Sequence, residues 1–240
     1  MAARPLGIDT DIQLIKIDVD PEELDRHGAT TIGLCGDAGA VCRRLVAALG
    51  QGSMPADRAV ELEARRRAFA AEIAQLQPQL DHLAAIRDVL PDDGVLVEDV
   101  TQVGFAMGLG AQAALPDRQV LVVAGDGGFL FTAAELATAV QHSIPLVSVV
   151  FDDGAYGNVK RIQTQRFGAD RTIASTLRNP DFVALAESFG ALGLPVARPD
   201  DLRPALERAF AHGGPAVVVV ASGPMPDPWP FFLRSRVRGG

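Results

Sequence analysis

Two short apolar runs, Val120 to Ala124 and Leu146 to Phe151, bracket a segment from Thr132 to His142 whose apolar residues recur at helical spacing. Short β-branched runs on either side of an amphipathic helix predict a βαβ unit with two parallel, neighbouring strands. The alternation continues along the chain. Apolar runs predict strands at Ile12 to Val19, Thr31 to Leu34, Val95 to Val100, Ala191 to Leu194 and Ala216 to Val220, the last buried on both faces because its run is unbroken. Helical periodicity predicts a short helix after Asp20-Pro21, then Ala38 to Leu49 with Asp37 as N-cap, Asp57 to Leu76, and Gln79 to Leu90. Two more follow, Pro180 to Phe189 behind an Asn179 cap and Asp200 to Ala211. Strands alternating with helices give an α/β fold, a doubly wound parallel sheet of about five or six strands.

Breaks in the pattern suggest the domain organisation. Gly, Ser and Pro cluster between Gly50 and Pro55, which marks the best boundary. Residues 1–50 then form a partial α/β piece, 51–78 a linker with a connecting helix, 79–222 the main domain, and 223–240 a tail. In that tail Trp229, Phe231 and Phe232 lie near prolines, so it should fold over a surface rather than form a helix.

Composition narrows the function. The chain has 240 residues, 48% of them hydrophobic, which suffices for one good-sized core or one core and a fragment of another. Its formal net charge of −8 argues against a nucleic-acid surface. The clusters Arg65-Arg66-Arg67 and Arg234/Arg236/Arg238 are expected to be solvated. No apolar run approaches the ~20 residues of a membrane span, and the first residues do not form a signal peptide, so a cytoplasmic protein is expected. Cys35 and Cys42 have no partner at metal spacing and read as small apolar fillers; the four histidines are scattered and receive no catalytic role.

The candidate chemistry lies where the two strands of the βαβ unit end. Gly125-Asp126-Gly127-Gly128 follows the first strand and Asp152-Asp153-Gly154 the second, placing acids at the carboxyl ends of strands, where open α/β sheets bind ligands. Neighbouring strands lie about 4.8 Å apart, so Asp126 and Asp153 can share one small cation. Mg²⁺ is the expected ion, since it takes one or two protein carboxylates and completes its octahedron with water and phosphate oxygens. The N–H groups of Gly127, Gly128 and Phe129 open a helix and offer an anion site. Together they suggest a diphosphate held through Mg²⁺. Asp and Gly are common in turns for conformational reasons alone, but two such turns on one βαβ unit argue for more.

Gly125-Asp126-Gly127 followed by Asp152-Asp153 resembles the thiamine-diphosphate signature of acetolactate synthase, benzoylformate decarboxylase and their relatives. The stretch "ELATAVQHSIPLVSVVFDDGAYGNVKRIQ" and the tail "MPDPWPF" resemble the acetolactate-synthase-like branch, and "IKIDVDPEELDRH" through "GLCGDAGAVCRRLVAAL" resembles the end of that family's central domain, making residues 1–50 a remnant of it. The resemblance implies thiamine diphosphate and Mg²⁺ as cofactors. Asp126 and Asp153 would be metal ligands by side chain and Ala155 by its carbonyl. Thr101, Gln102, Gly125, Gly127, Gly128, Phe129, Tyr156 and Gly157 would bind the cofactor, with Lys160 and Arg161 close by. The substrate implied is a 2-oxo acid, decarboxylated or ligated, and the assembly a homo-dimer or a complex with a chain that carries the pyrimidine-binding domain.

Two departures from the family stand out. Relatives carry a glycine-rich stretch, touching the aminopyrimidine, where Phe105 here passes almost directly to Gly108; and Asp152 replaces the usual Asn, adding charge beside Asp126 and Asp153. The glutamate that activates the cofactor belongs to a separate domain, and no segment matches it. The expected function is therefore the diphosphate- and Mg²⁺-binding half of a 2-oxo acid decarboxylase or carboligase. A degenerate, non-catalytic module is the main alternative. A Rossmann-type oxidoreductase is a lesser one, because Gly108-Leu109-Gly110 stands between two predicted strands and Asp126 follows at near the ribose-binding spacing.

Overall fold

The computed structural model describes residues 13–25, 31–50, 59–98, 104–223, 225–228 and 230. The chain divides into two compact units, one taking in residues up to Ile73 and from Pro228 onward, the other running from Ala74 to Asp227.

In the first unit, β1 (Ile15–Asp18) and β2 (Ile32–Cys35) form a two-stranded parallel sheet with Ile15 opposite Ile32, and α1 (Pro21–Asp25) lies between them in sequence. The helix α2 (Ala38–Leu49) has the predicted bounds. Its Asp37 cap accepts a hydrogen bond from the Ala40 N–H at 2.8 Å. Neither α2 nor α3 (Ala59–Ile73) buries a residue, and Ile15, Val19, Ile32, Val46 and Leu49 are exposed, as the partial-sheet reading implies. The α3 helix ends at Ile73, short of the predicted Leu76.

The second unit is built on β3 (Val95–Glu98), β4 (Val120–Gly125), β5 (Val147–Asp152), β6 (Leu192–Val196) and β7 (Ala216–Ala221), all parallel in the order β3-β4-β5-β7-β6. The apolar runs of β4 and β7 are continuous because both faces are covered, whereas β3 alternates and leaves Leu96 exposed. On one face Val120, Val122 and Ala124 of β4 pack with Leu109, Phe129, Leu136 and Phe182; on the other Leu121 packs with Val149, Leu194, Leu206 and Val218. The first layer comes from α5 (Gly104–Ala114), α6 (Asp126–Thr132), α7 (Glu135–Gln141) and α9 (Phe182–Phe189), the second from α4 (Gln79–Val89) and α10 (Leu202–His212). Each fully buried Leu, Val or Phe contributes about 1.5–3 kcal/mol by leaving water. The edge strand β6 contains Pro195, a residue that a central strand would not accept.

Several elements differ from the pattern. The predicted helix Thr132 to His142 is the shorter α7, and a separate helix, α6, precedes it from Asp126, so the glycine turn is itself helical. Gly127 and Gly128 are poor helix formers, but Phe129 is fully buried and its ring meets Phe182 edge-on at 5.8 Å, and that packing wins. Helix α9 is capped by Asp181, which accepts from the Ala184 N–H at 3.0 Å; Asn179 is not its cap. Gly108 and Gly110 lie within α5 rather than in a strand-to-helix turn, which removes the geometry the dinucleotide reading needs. A Cβ on Gly108 would overlap Val122 Cγ2, so this glycine permits close approach of helix and sheet. Among the described residues no helix is long and apolar enough to cross a membrane.

Candidate cation and cofactor site

Strands β4 and β5 are in register, with Gly125 opposite Phe151, so the residues that follow converge at one edge of the sheet. Asp126 is the first residue of α6 and only 2% exposed; Asp152 is the last residue of β5. Asp126 Oδ1 accepts from the Gly127 N–H at 2.7 Å. Its Oδ2 accepts from the Ala155 N–H at 3.2 Å and from Asn179 Nδ2 at 2.6 Å. Asp153 Oδ1 also accepts from the Ala155 N–H, at 3.0 Å, and Asp152 Oδ1 accepts from Asn179 Nδ2 at 2.7 Å and from the Gly154 N–H at 3.1 Å. One backbone N–H and one side-chain amide thus tie three acids together.

The loop that carries Asp153 is held from its far side. Gly154 has φ +66°, a conformation that favours glycine, and its carbonyl accepts from the Leu177 N–H at 2.8 Å, while the Tyr156 N–H donates to the Ser175 carbonyl at 2.9 Å. Helix α8 (Gly157–Phe167) follows at once, and a Cβ on Gly157 would overlap Asp153 Oδ2.

Burial pushes the Asp126 carboxyl above its ordinary range; hydrogen bonds from Asn179 and Gly127 pull it back, and the Asp152 charge pushes it up again. Burial also raises Asp153, with the Asp126 charge adding to it and Lys160 opposing. Among the described residues no Lys or Arg forms an ion pair with Asp126. A buried carboxylate without a countercharge favours either a proton or a bound cation. Among the described residues no three His, Cys, Asp or Glu side chains are arranged to hold a metal by themselves. Two carboxylates whose coordination is completed by a phosphorylated ligand's oxygens suit Mg²⁺ and need no such trio, so the donor set fits an ion bound together with a diphosphate.

Thr101 and Gln102 lie outside the described residues. Asp126, Asp153, Ala155, Gly127 and Gly157 come together. The contacts shown for Ala155 are made by its N–H. Gly125 is the exposed N-cap of α6, Gly128 sits in the first turn, and the N–H of Gly127 is already taken by Asp126. The Phe129 side chain belongs to the core, and the Tyr156 ring lies so close over Gly127 that a Cβ there would overlap it. Lys160 faces Asp153 electrostatically, whereas Arg161 is committed to an ion pair with Asp227 at 2.6 Å. Asn179 is the member that sequence reasoning placed elsewhere. Nothing local signals this: an Asn before Pro180 suits an N-cap, whose backbone is extended, so the sequence pattern points to a cap and the contact with the two acids is visible only in the fold.

Residues 100–220 match the family model described as thiamine pyrophosphate enzyme, C-terminal TPP binding domain. The chain is 41% identical over 118 residues to an acetolactate synthase of Bacillus subtilis, covering 49% of this chain and 20% of that protein. It is 31% identical over 240 aligned positions to a probable 2-ketoarginine decarboxylase of Pseudomonas aeruginosa, covering 86% of this chain and 42% of that one. To the acetolactate synthase isozyme 2 large subunit of Escherichia coli it is 32% identical over 153 residues, covering 62% and 27% respectively. The chain thus spans less than half the length of each.

Proposed function

The chain belongs to the thiamine pyrophosphate enzyme family through that family's C-terminal, TPP-binding domain, and we propose that it serves as the half-site that anchors the cofactor's diphosphate through Mg²⁺. The domain is that of acetolactate synthase- and decarboxylase-like enzymes, whose cofactor is thiamine diphosphate. The observation that carries the proposal is Asp126: a carboxylate buried to 2% exposure, without an ion pair, beside two further acids. Asp126 and Asp153 are its side-chain metal ligands and Ala155 its backbone ligand. Thr101, Gln102, Gly125, Gly127, Gly128, Phe129, Tyr156 and Gly157 form the surrounding cofactor site.

Bound thiamine diphosphate supplies a nucleophilic carbon and an electron sink for reactions of 2-oxo acids. This chain's own residues bind and orient. The acids would hold the cation, and through it the diphosphate, at the carboxyl ends of the strands, and Tyr156 and Leu177 lie over Gly127. The names of the relatives, acetolactate synthase and 2-ketoarginine decarboxylase, support 2-oxo acids as the substrate class. Among the described residues none is placed to activate the cofactor, so turnover requires a pyrimidine-binding domain, whether elsewhere in the same protein, in a homo-dimer of it or in a partner chain. A non-catalytic module is the second reading, favoured by the short passage from Phe105 to Gly108.

Calorimetry with thiamine diphosphate tests the proposal. Binding heat with Mg²⁺ and none in its absence is expected; equal binding in both conditions, or none in either, overturns it. Pyruvate decarboxylation by the chain alone would refute the need for a partner, and inactivity with every pyrimidine-domain partner would favour the module.

A further inference from the structure

Asn179 stands just before α9, yet its side chain serves a different part of the molecule. Its Nδ2 donates to Asp126 Oδ2 at 2.6 Å and to Asp152 Oδ1 at 2.7 Å, while its Oδ1 is buried without a hydrogen-bond partner. An amide nitrogen has two hydrogens, so both are used on two acids that come from the ends of neighbouring strands. The opposite orientation of the amide would turn its oxygen toward two carboxylates, a repulsive arrangement. A buried acceptor left unsatisfied is costly, and here that cost accompanies a donor for each acid.

The choice of a neutral donor matters. A lysine or arginine at this place would cancel the charge of Asp126 and compete with a cation; an amide holds the carboxylates and leaves their charge intact. Asp126 Oδ1 keeps spare acceptor capacity, since among the described residues only the Gly127 N–H donates to it, whereas Oδ2 already takes both Ala155 and Asn179. We propose that Asn179 is a positioning residue for the cation, clamping Asp126 and Asp152 in one arrangement despite their like charge so that Asp126 presents Oδ1 to the metal. This rests on the cation site proposed above. It also addresses the acid at position 152, because the clamp is needed only when both partners are charged.

The test uses Mn²⁺ with thiamine diphosphate on the full chain, reading free Mn²⁺ by electron paramagnetic resonance. Asn179→Ala should weaken Mn²⁺ binding by about 10- to 100-fold, the range for outer partners of metal ligands. Asn179→Ser, with one donor instead of two, should lose less. In the Asp152→Asn background, where the like-charge pair is gone, the loss caused by Asn179→Ala should shrink at least about threefold, as for residues coupled in one network. Should Asn179→Ala fail to fold by circular dichroism in EDTA, Asn179→Ser carries both comparisons. An equal loss in both backgrounds would show a merely structural role before α9, and unchanged affinity in either Asn179 variant would remove any role; both overturn the proposal. Undiminished Mn²⁺ binding by Asp126→Asn would overturn the cation site and this proposal with it, whereas loss in Asp126→Asn without loss in the Asn179 variants overturns this proposal alone.

Discussion

Gly157 and Asp153 share one volume: a Cβ on the glycine would overlap Asp153 Oδ2, so the first residue of α8 can carry no side chain while that carboxylate keeps its orientation. The obstructing atom is the end of a flexible side chain, and it will move. Gly157→Ala should therefore weaken Mg²⁺-dependent binding of thiamine diphosphate by about tenfold or more. The fold should hold or gain, by up to about 1 kcal/mol, since alanine favours helix over glycine. Calorimetry and thermal melts on the same preparation check this, and unaltered affinity would contradict it.

Substituting the two proposed ligands should separate binding from folding. Asp126→Asn and Asp153→Ala are each expected to weaken Mg²⁺-dependent cofactor binding by at least about 10- to 100-fold. Asp126 is more buried than its place in a turn suggested, and both its oxygens accept N–H donors, so Asp126→Asn sets an NH2 against one of them and should lower the melting temperature in EDTA by more than Asp153→Ala does. Equal affinities in wild type and both variants at saturating Mg²⁺ would remove the site.

A cation held at the proposed site would stabilise the folded state. At a Mg²⁺ concentration one hundred times its dissociation constant the folded state should gain about 2.7 kcal/mol. Asp152→Asn should reduce that gain by relieving the repulsion beforehand. Differential scanning calorimetry at millimolar Mg²⁺ measures both, and a melting temperature indifferent to Mg²⁺ would show that the acids carry no cation.

Glycines in helices need not respond alike. At Gly108 the obstructing atom is Val122 Cγ2, locked in the core of β4, in contrast to the mobile carboxylate at Gly157. Gly108→Ala should therefore destabilise by about 1–3 kcal/mol, the usual range for overpacking, against the helix preference that would favour it. Urea unfolding supplies the number, and a neutral result would mean that α5 lifts away without cost.

His82 predicts a pH dependence. Its ring is 4% exposed, meets Phe151 edge-on at 5.2 Å and has no partner for Nδ1; burial lowers its pKa below 6.5, with Asp81 opposing. The unfolded chain then takes up a proton that the folded one resists. This group contributes nothing adverse above pH 6.5, and stability falls as the pH drops from 6.5 through the folded value. His82→Phe should lose less stability between pH 7.5 and 5.5 than wild type in urea titrations; an equal loss would place the titration elsewhere.

The parts legible in the sequence were those with one dominant physical cause. Unbroken runs such as Val147 to Phe151 announce strands covered on both faces, and Asp37 before Ala38 announces a helix start through a local hydrogen bond. The convergence of Asp126 with Asp152 and Asp153 follows from pairing β4 beside β5, which the βαβ pattern contains. What escaped depends on contacts distant in sequence. Helix α6 begins in a glycine turn because Phe129 reaches Phe182, and Asn179 leaves its cap because two acids more than one strand away accept its protons. No periodicity records either.

Pro195 sets a limit at one margin of the sheet. Strand β6 is the last in the order β3-β4-β5-β7-β6, and a proline within it leaves a gap in the row of donors that an unpaired strand would otherwise offer. A domain whose strands are mostly apolar has every chemical reason to add another such strand in the crowded interval of synthesis, and at this margin an incoming chain meets a broken row of donors. Aggregation through the β6 edge is thus opposed by a residue that takes no part in the chemistry.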